Sequence, residues 1–196
     1  METFTRAQAA TLDGGKAKVA VLLPGVGYQV DGPLLYWVAE ILAESGWHVQ
    51  GVRWVVDGAA HREPDAFTAQ AVERAFAQAP PASQRLVVAK SFGTMVIPWA
   101  ERTRTAGIWL TPILTDPMIR ETLAQTTKSD LFIGGSDDEY WDVAHQLETA
   151  GTFLEIPGAN HSLQIPNNWR ASLESQSRIF DKVAEFLTAI DGGIGS

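Results

Sequence analysis

Short apolar runs alternate along this chain with segments whose apolar residues recur every three or four positions. That alternation, repeated about six times, narrows the possible folds more than any other feature. The runs fall at 18–24, 48–56, 86–89, 108–113, 130–133 and 152–156. Helical spacing follows each of the first five, and again over 170–190. Examples are Leu34, Val38, Ile41 and Leu42 after the first run, and Ile179, Val183, Phe186, Leu187 and Ile190 after the last. Strands joined through helices lie parallel, and a parallel sheet needs helices over both faces. The predicted fold class is α/β, a mainly parallel sheet of about six strands with helices on both faces. Residues that do chemistry in such a fold sit just beyond the carboxyl ends of the strands.

Local punctuation supports these boundaries. Pro33 opens the first helix and Ser45-Gly46 closes it, while Pro80-Pro81 ends a helix predicted over 65–79. Further helices are expected at 117–125 and 140–150, and Pro98 is expected to kink the helix after Ser91 or mark its last turns. Residues 1–17 are polar, contain Asp13-Gly14-Gly15, and are expected to form an extension or one edge strand; residues 18–191 form the single domain.

A formal charge of -8 argues against nucleic acid or an anionic membrane as partner, because both need a basic face. The absence of cysteine excludes disulfides, thiol catalysis and thiolate metal sites. No apolar stretch has the length of a signal core or a bilayer span, so a cytoplasmic protein is expected, and the Asn160-His161-Ser162 sequon is read as accidental. Gly25-Val26-Gly27 lacks the third glycine of a dinucleotide fingerprint, since position 30 is Val30. Asp142 and His145 share a helix face but no second histidine completes a metal site, and His48 and His61 are read as structural or solvated. Neither metal nor cofactor is expected.

The stretch RLVVAKSFGT, residues 85–94, changes period abruptly. Leu86, Val87, Val88 and Ala89 read as a buried strand, whereas Phe92, Met95, Val96 and Trp99 recur at helical spacing, so Ser91 stands at the junction. A serine there occupies a tight, strained turn that exposes its hydroxyl, and the residues two positions away on either side must be small, as Ala89 and Gly93 are. A serine capping the following helix is the competing reading of these five residues. The loops after the other strands add to the picture. Gly134-Gly135-Ser136-Asp137-Asp138 follows the fifth run and Gly158-Ala159-Asn160-His161-Ser162 the last, so a serine, an acid and a histidine succeed one another along one sheet edge. Lys90, beside the serine, is read as a surface lysine, with contact to an acidic substrate as the alternative.

With that order of residues the chain resembles the α/β-hydrolase superfamily, specifically its small, capless, single-domain serine hydrolases, from residue 18 onward. The A-K-S-F-G pentapeptide departs from the family's G-x-S-x-G by one methyl, and Pro24 stands where many relatives carry histidine. The resemblance implies Ser91 as nucleophile, His161 as general base and an aspartate behind it, Asp138 in preference to Asp137. It implies an oxyanion hole from the backbone N–H of Phe92 and of Val26, with Gly27 as second choice for the latter. Only residues 114–129 separate the fourth run from the fifth, room for one short helix and no lid, so an open site is expected. Gly27, Tyr28, Trp109, Trp141 and Trp169 fall near the same edge as candidate walls of a substrate pocket. The implied activity is hydrolysis of a small acyl ester through an acyl-enzyme. An acyltransferase or perhydrolase using the same triad, and a non-catalytic interaction protein on this scaffold, are the alternatives.

Overall fold

The computed structural model describes residues 1–8, 16–124, 130–141 and 149–192. Its sheet contains β1 (Glu2–Ala7), β2 (Ala17–Leu23), β3 (Trp47–Arg53), β4 (Ala82–Lys90), β5 (Ala106–Leu110), β6 (Leu131–Gly135) and β7 (Thr152–Ile156). Their order is β1-β3-β2-β4-β5-β6-β7. Every neighbouring pair is parallel except β1 with β3. The polar N-terminus therefore realises its edge-strand alternative and adds a seventh strand, pairing Phe4 with Gly51 of β3. Gly51 makes this possible, because a Cβ there would lie 2.6 Å from the Phe4 ring.

Side-chain alternation along the strands builds two cores, one on each face. Val19, Val21, Leu23, Val87 and Ala89 point into the first, covered by α3 (Pro64–Gln78), α4 (Ile97–Arg102) and α5 (Pro117–Leu123). Ala20, Leu22, Leu86, Val88, Ile108 and Leu110 point into the second, covered by α1 (Pro33–Glu44) and α6 (Trp169–Gly192). A one-turn helix, α2 (Gly58–Arg62), which the sequence pattern does not foreshadow, is capped by Asp57 through the N–H groups of Ala59 and Ala60. The helix predicted over 140–150 lies mostly outside the described residues, as does the Asp142 and His145 pair.

Three local expectations are corrected. The segment after Ser91 starts as a 3-10 helix, Ser91–Val96, and only then becomes α4. Pro98 stands in the first turn of α4 rather than kinking its interior, a place where a missing N–H costs nothing. The strand predicted over 108–113 ends at Leu110 because Thr111 turns to φ 44°. No helix among the described residues is long and apolar enough to cross a membrane. Between β5 and β6 the described residues contain α5 as their one helix.

The chain leaves β2 toward β3 on one side and resumes at β4 on the other. The carboxyl ends of β2 and β4 therefore flank the crevice where the winding direction reverses.

Candidate active site

Ser91 sits at the end of β4 with φ 51°, a left-handed conformation that a side chain adopts only when its surroundings compel it. The compulsion comes from the backbone leaving β2. A Cβ on Gly93 would lie 2.7 Å from the Pro24 carbonyl oxygen and 2.8 Å from that of Leu23, so only glycine lets the two segments pass. Gly25 faces the serine itself, its absent Cβ being 3.2 Å from Ser91 Cβ.

Three loops converge on that hydroxyl. His161 Nε2 lies 2.8 Å from Ser91 Oγ, and His161 Nδ1 lies 2.8 Å from Asp138 Oδ2. A carboxylate can only accept here, so Nδ1 carries the proton and donates to Asp138, leaving Nε2 to accept from the Ser91 hydroxyl. Asp138 Oδ1 accepts from the Tyr140 N–H at 3.0 Å, which aims the carboxylate. Of the two adjacent aspartates, Asp138 is buried at the histidine, whereas Asp137 is exposed and turned to the Ser136 hydroxyl. The His161 side chain is 32% exposed, so the chain of hydrogen bonds reaches solvent at the serine end. The Tyr140 ring packs against the imidazole at 5.0 Å between centroids.

The histidine loop is shaped by Asn160, which sequence reasoning did not single out. Its side-chain oxygen accepts from the N–H groups of Ser162 and Gln164, and its own N–H donates to the Gln164 carbonyl. The signal was available, since asparagine in a glycine-rich loop favours such turns. Phe92 directly follows Ser91 and Val26 directly follows Gly25, which faces the serine; the N–H groups of both donate to no partner among the described residues.

The aromatic residues separate into three groups. Tyr28 stays beside the site, its hydroxyl accepting from the Leu34 N–H and its ring leaving room only for glycine at position 32. Burial pushes the Tyr28 phenol pKa up, against the Leu34 hydrogen bond, so it stays protonated. Gly27 forms the exposed turn before it at φ 70°. Trp109 and Trp141 are corrections to the expected pocket. Trp109 is fully buried, its indole donating to Asp130 at the opposite end of β6. Trp141 is packed over Gly134 and Phe153 with its indole on Glu155. Both belong to the core because each fills the space left by a glycine, Gly107 and Gly134 respectively. Trp169 lies instead on a groove of about 550 Å³ with Asn160, Ile165 and Leu173, whose lining does not include Ser91.

Lys90 is the largest departure from expectation. It shares a face with Leu86 and Val88, and that parity carries it inward to 2% exposure. Burial lowers its pKa to about 8, with the charge of Asp138 pulling the other way. An unfolded lysine titrates near 10.5, so unfolding takes up a proton between these values and stability from this group rises with pH across that window. Unfolding by urea at pH 7.5 and 10 should show the native protein gaining on Lys90→Met by about 2 kcal/mol.

No family model matches the sequence, and no curated protein does. Solved structures do match. Est1E from Butyrivibrio proteoclasticus with ferulic acid bound superimposes with a TM-score of 0.68 at 15% identity, over 96% of this chain and 94% of that one. Dienelactone hydrolase from Anabaena variabilis gives 0.63 at 16%, over 96% and 99%. The chain has the α/β-hydrolase fold. A lidless α/β serine hydrolase from Xanthomonas campestris matches at 0.57 and 18%, over 90% of this chain and 88% of its own length. Among the described residues no three carboxylate or histidine side chains gather as a metal site.

Proposed function

We propose that this α/β-hydrolase-fold protein is a serine hydrolase that cleaves a small carboxylic ester, or a related acyl compound, through an acyl-enzyme on Ser91. The observation that carries the reading is the continuous chain from Ser91 Oγ through His161 to Asp138, with 2.8 Å at each link. His161 Nε2 takes the hydroxyl proton as Oγ bonds to the ester carbonyl carbon. Asp138 holds the imidazole in the tautomer that can accept, and stabilises the imidazolium once it forms. The carbonyl oxygen, now negative, is received by the N–H groups of Phe92 and Val26. Collapse of the tetrahedral intermediate breaks the bond to the alcohol, which leaves with the proton from Nε2. Water then repeats the cycle on the acyl-serine and releases the acid.

Small substrates are favoured by the short connection between β5 and β6, and the net charge of -8 disfavours a nucleic acid or an anionic membrane as partner. The neighbour with ferulic acid bound supports an aryl or other small organic acid as the acyl group. The test is labelling by a fluorophosphonate probe, with the modified peptide read by mass spectrometry in the native protein and in Ser91→Ala. Labelling at Ser91 that disappears in the variant is the expected result, followed by turnover of p-nitrophenyl acetate. A folded native protein that takes no label would overturn the reading.

A further inference from the structure

Lys90 is a charged side chain that ester cleavage does not use, yet it lies at the meeting point of the loops that form the site. Its Nζ donates to Thr111 Oγ1 and to the backbone carbonyl of His161, each at 3.0 Å. It also stands 4.7 Å from the centre of the Tyr28 ring. These partners come from the segments after β5, β7 and β2, and Lys90 itself immediately precedes Ser91. One ammonium therefore ties the ends of β2, β5 and β7 to that of β4, while Asp138 beyond β6 acts on it through its charge.

Charge matters to this arrangement more than the hydrogen bonds alone. An ammonium has three donors and a positive field, which suit two oxygens and the electron-rich face of a ring. A neutral amine has two donors and a lone pair, and one of its three partners is then faced unfavourably. The titratable groups around it do not take over that role. Tyr28 stays protonated, Asp138 is engaged by His161 and the Tyr140 N–H, and His161 turns its carbonyl rather than its ring toward the amine. Helices α1 and α6, packed over the same face, bury no titratable side chain among the described residues.

We propose that Lys90, as an ammonium, is a positioning residue that holds the backbone of His161 in line with Ser91, and that loss of its proton gives the site its alkaline limit. The inference rests on the serine-hydrolase reading and adds a regulating group to it. The lowered pKa of about 8 puts the limit within the range of an ordinary assay. Alkaline unfolding would not account for such a limit, because deprotonating this lysine favours the folded state.

The experiment is the second-order rate of labelling by a fluorophosphonate probe between pH 6 and 10, on the native protein, Lys90→Met and Lys90→Arg. The native rate should fall above a midpoint near pH 8. Lys90→Met, matched in length but uncharged, should label about 100-fold more slowly at pH 7 and show no alkaline fall. Lys90→Arg keeps a charge that does not titrate, so its alkaline fall should move beyond pH 10 while part of the rate is retained. A lysine that merely fills space would lower the rate equally at every pH. A native profile flat to pH 10, or a Lys90→Met profile with the native alkaline limb, overturns the inference and leaves the hydrolase reading standing. A native protein that never labels removes both.

Discussion

Asp138→Asn is expected to lower kcat toward p-nitrophenyl acetate by about 10^4-fold, while Asp137→Asn leaves it within about a factor of two. The contrast follows from where two neighbouring aspartates point. The Asp138 carboxylate accepts from both the Tyr140 N–H and His161 Nδ1. An asparagine can keep the first of these through its oxygen, which turns its NH2 group toward the imidazole. A donor facing Nδ1 removes the proton from that nitrogen and places it on Nε2, so the ring donates to Ser91 instead of accepting from it. Volume and packing are unchanged, and urea unfolding should show a far smaller effect than the rate. The Asp137 side chain reaches only the Ser136 hydroxyl at the surface, and its amide analogue has nothing to disturb. Equal effects of the two substitutions would show that His161 is not oriented by Asp138.

Gly135→Ala should cost about 3 kcal/mol or more of stability, measured by urea unfolding, and should take most of the activity with it. A Cβ at this position would sit 2.0 Å from the Ala159 carbonyl oxygen and 2.5 Å from its carbon. Both are backbone atoms, so no rotamer change relieves the contact. The last residues of β6 and the loop carrying His161 must move apart, although the Ser136 and Asp137 N–H groups are bonded across that gap to Ile156 and Ala159. Those bonds set the separation of Asp138 from His161, so stability and activity should fall together. Gly158→Ala provides the comparison. Its φ of 71° makes a side chain unfavourable, but no atom lies within 4 Å of the added carbon, and a loss of about 1 kcal/mol is expected. If the two substitutions cost the same, close backbone approach is not what Gly135 provides.

Much of this architecture was legible because hydrophobic period is a local property. The switch from strand to helical spacing at Ser91, and the acid and histidine in loops after later strands, could be read from neighbours within a few residues. Where the reading went wrong, the deciding contacts were distant. Trp109 in β5 and Trp141 in the turn beyond β6 fall near the strand ends, which suggested a pocket. Glycines at 107 and 134 open space beside them, and Asp130 and Glu155 accept their indole N–H groups, so both rings turn into the core. Lys90 carried a legible signal that residue type concealed. Its parity with Leu86 and Val88 already pointed it inward, but a lysine is buried only where partners meet its charge. Those partners are Thr111 and His161, 21 and 71 positions away.

The sequence by itself determined the α/β class, the strand-end location of the serine, acid and histidine, and the small residues that a strained turn at Ser91 requires. These follow from spacing and from the size of side chains a few positions apart. Tertiary structure alone decided that the polar N-terminus would join the sheet rather than extend from it, that Trp109 and Trp141 would turn into the core, and that Lys90 would be drawn beneath the site. Each of those outcomes depends on which backbone carbonyls, rings and glycines from remote segments arrive at the same few ångströms of space, and no local pattern records that.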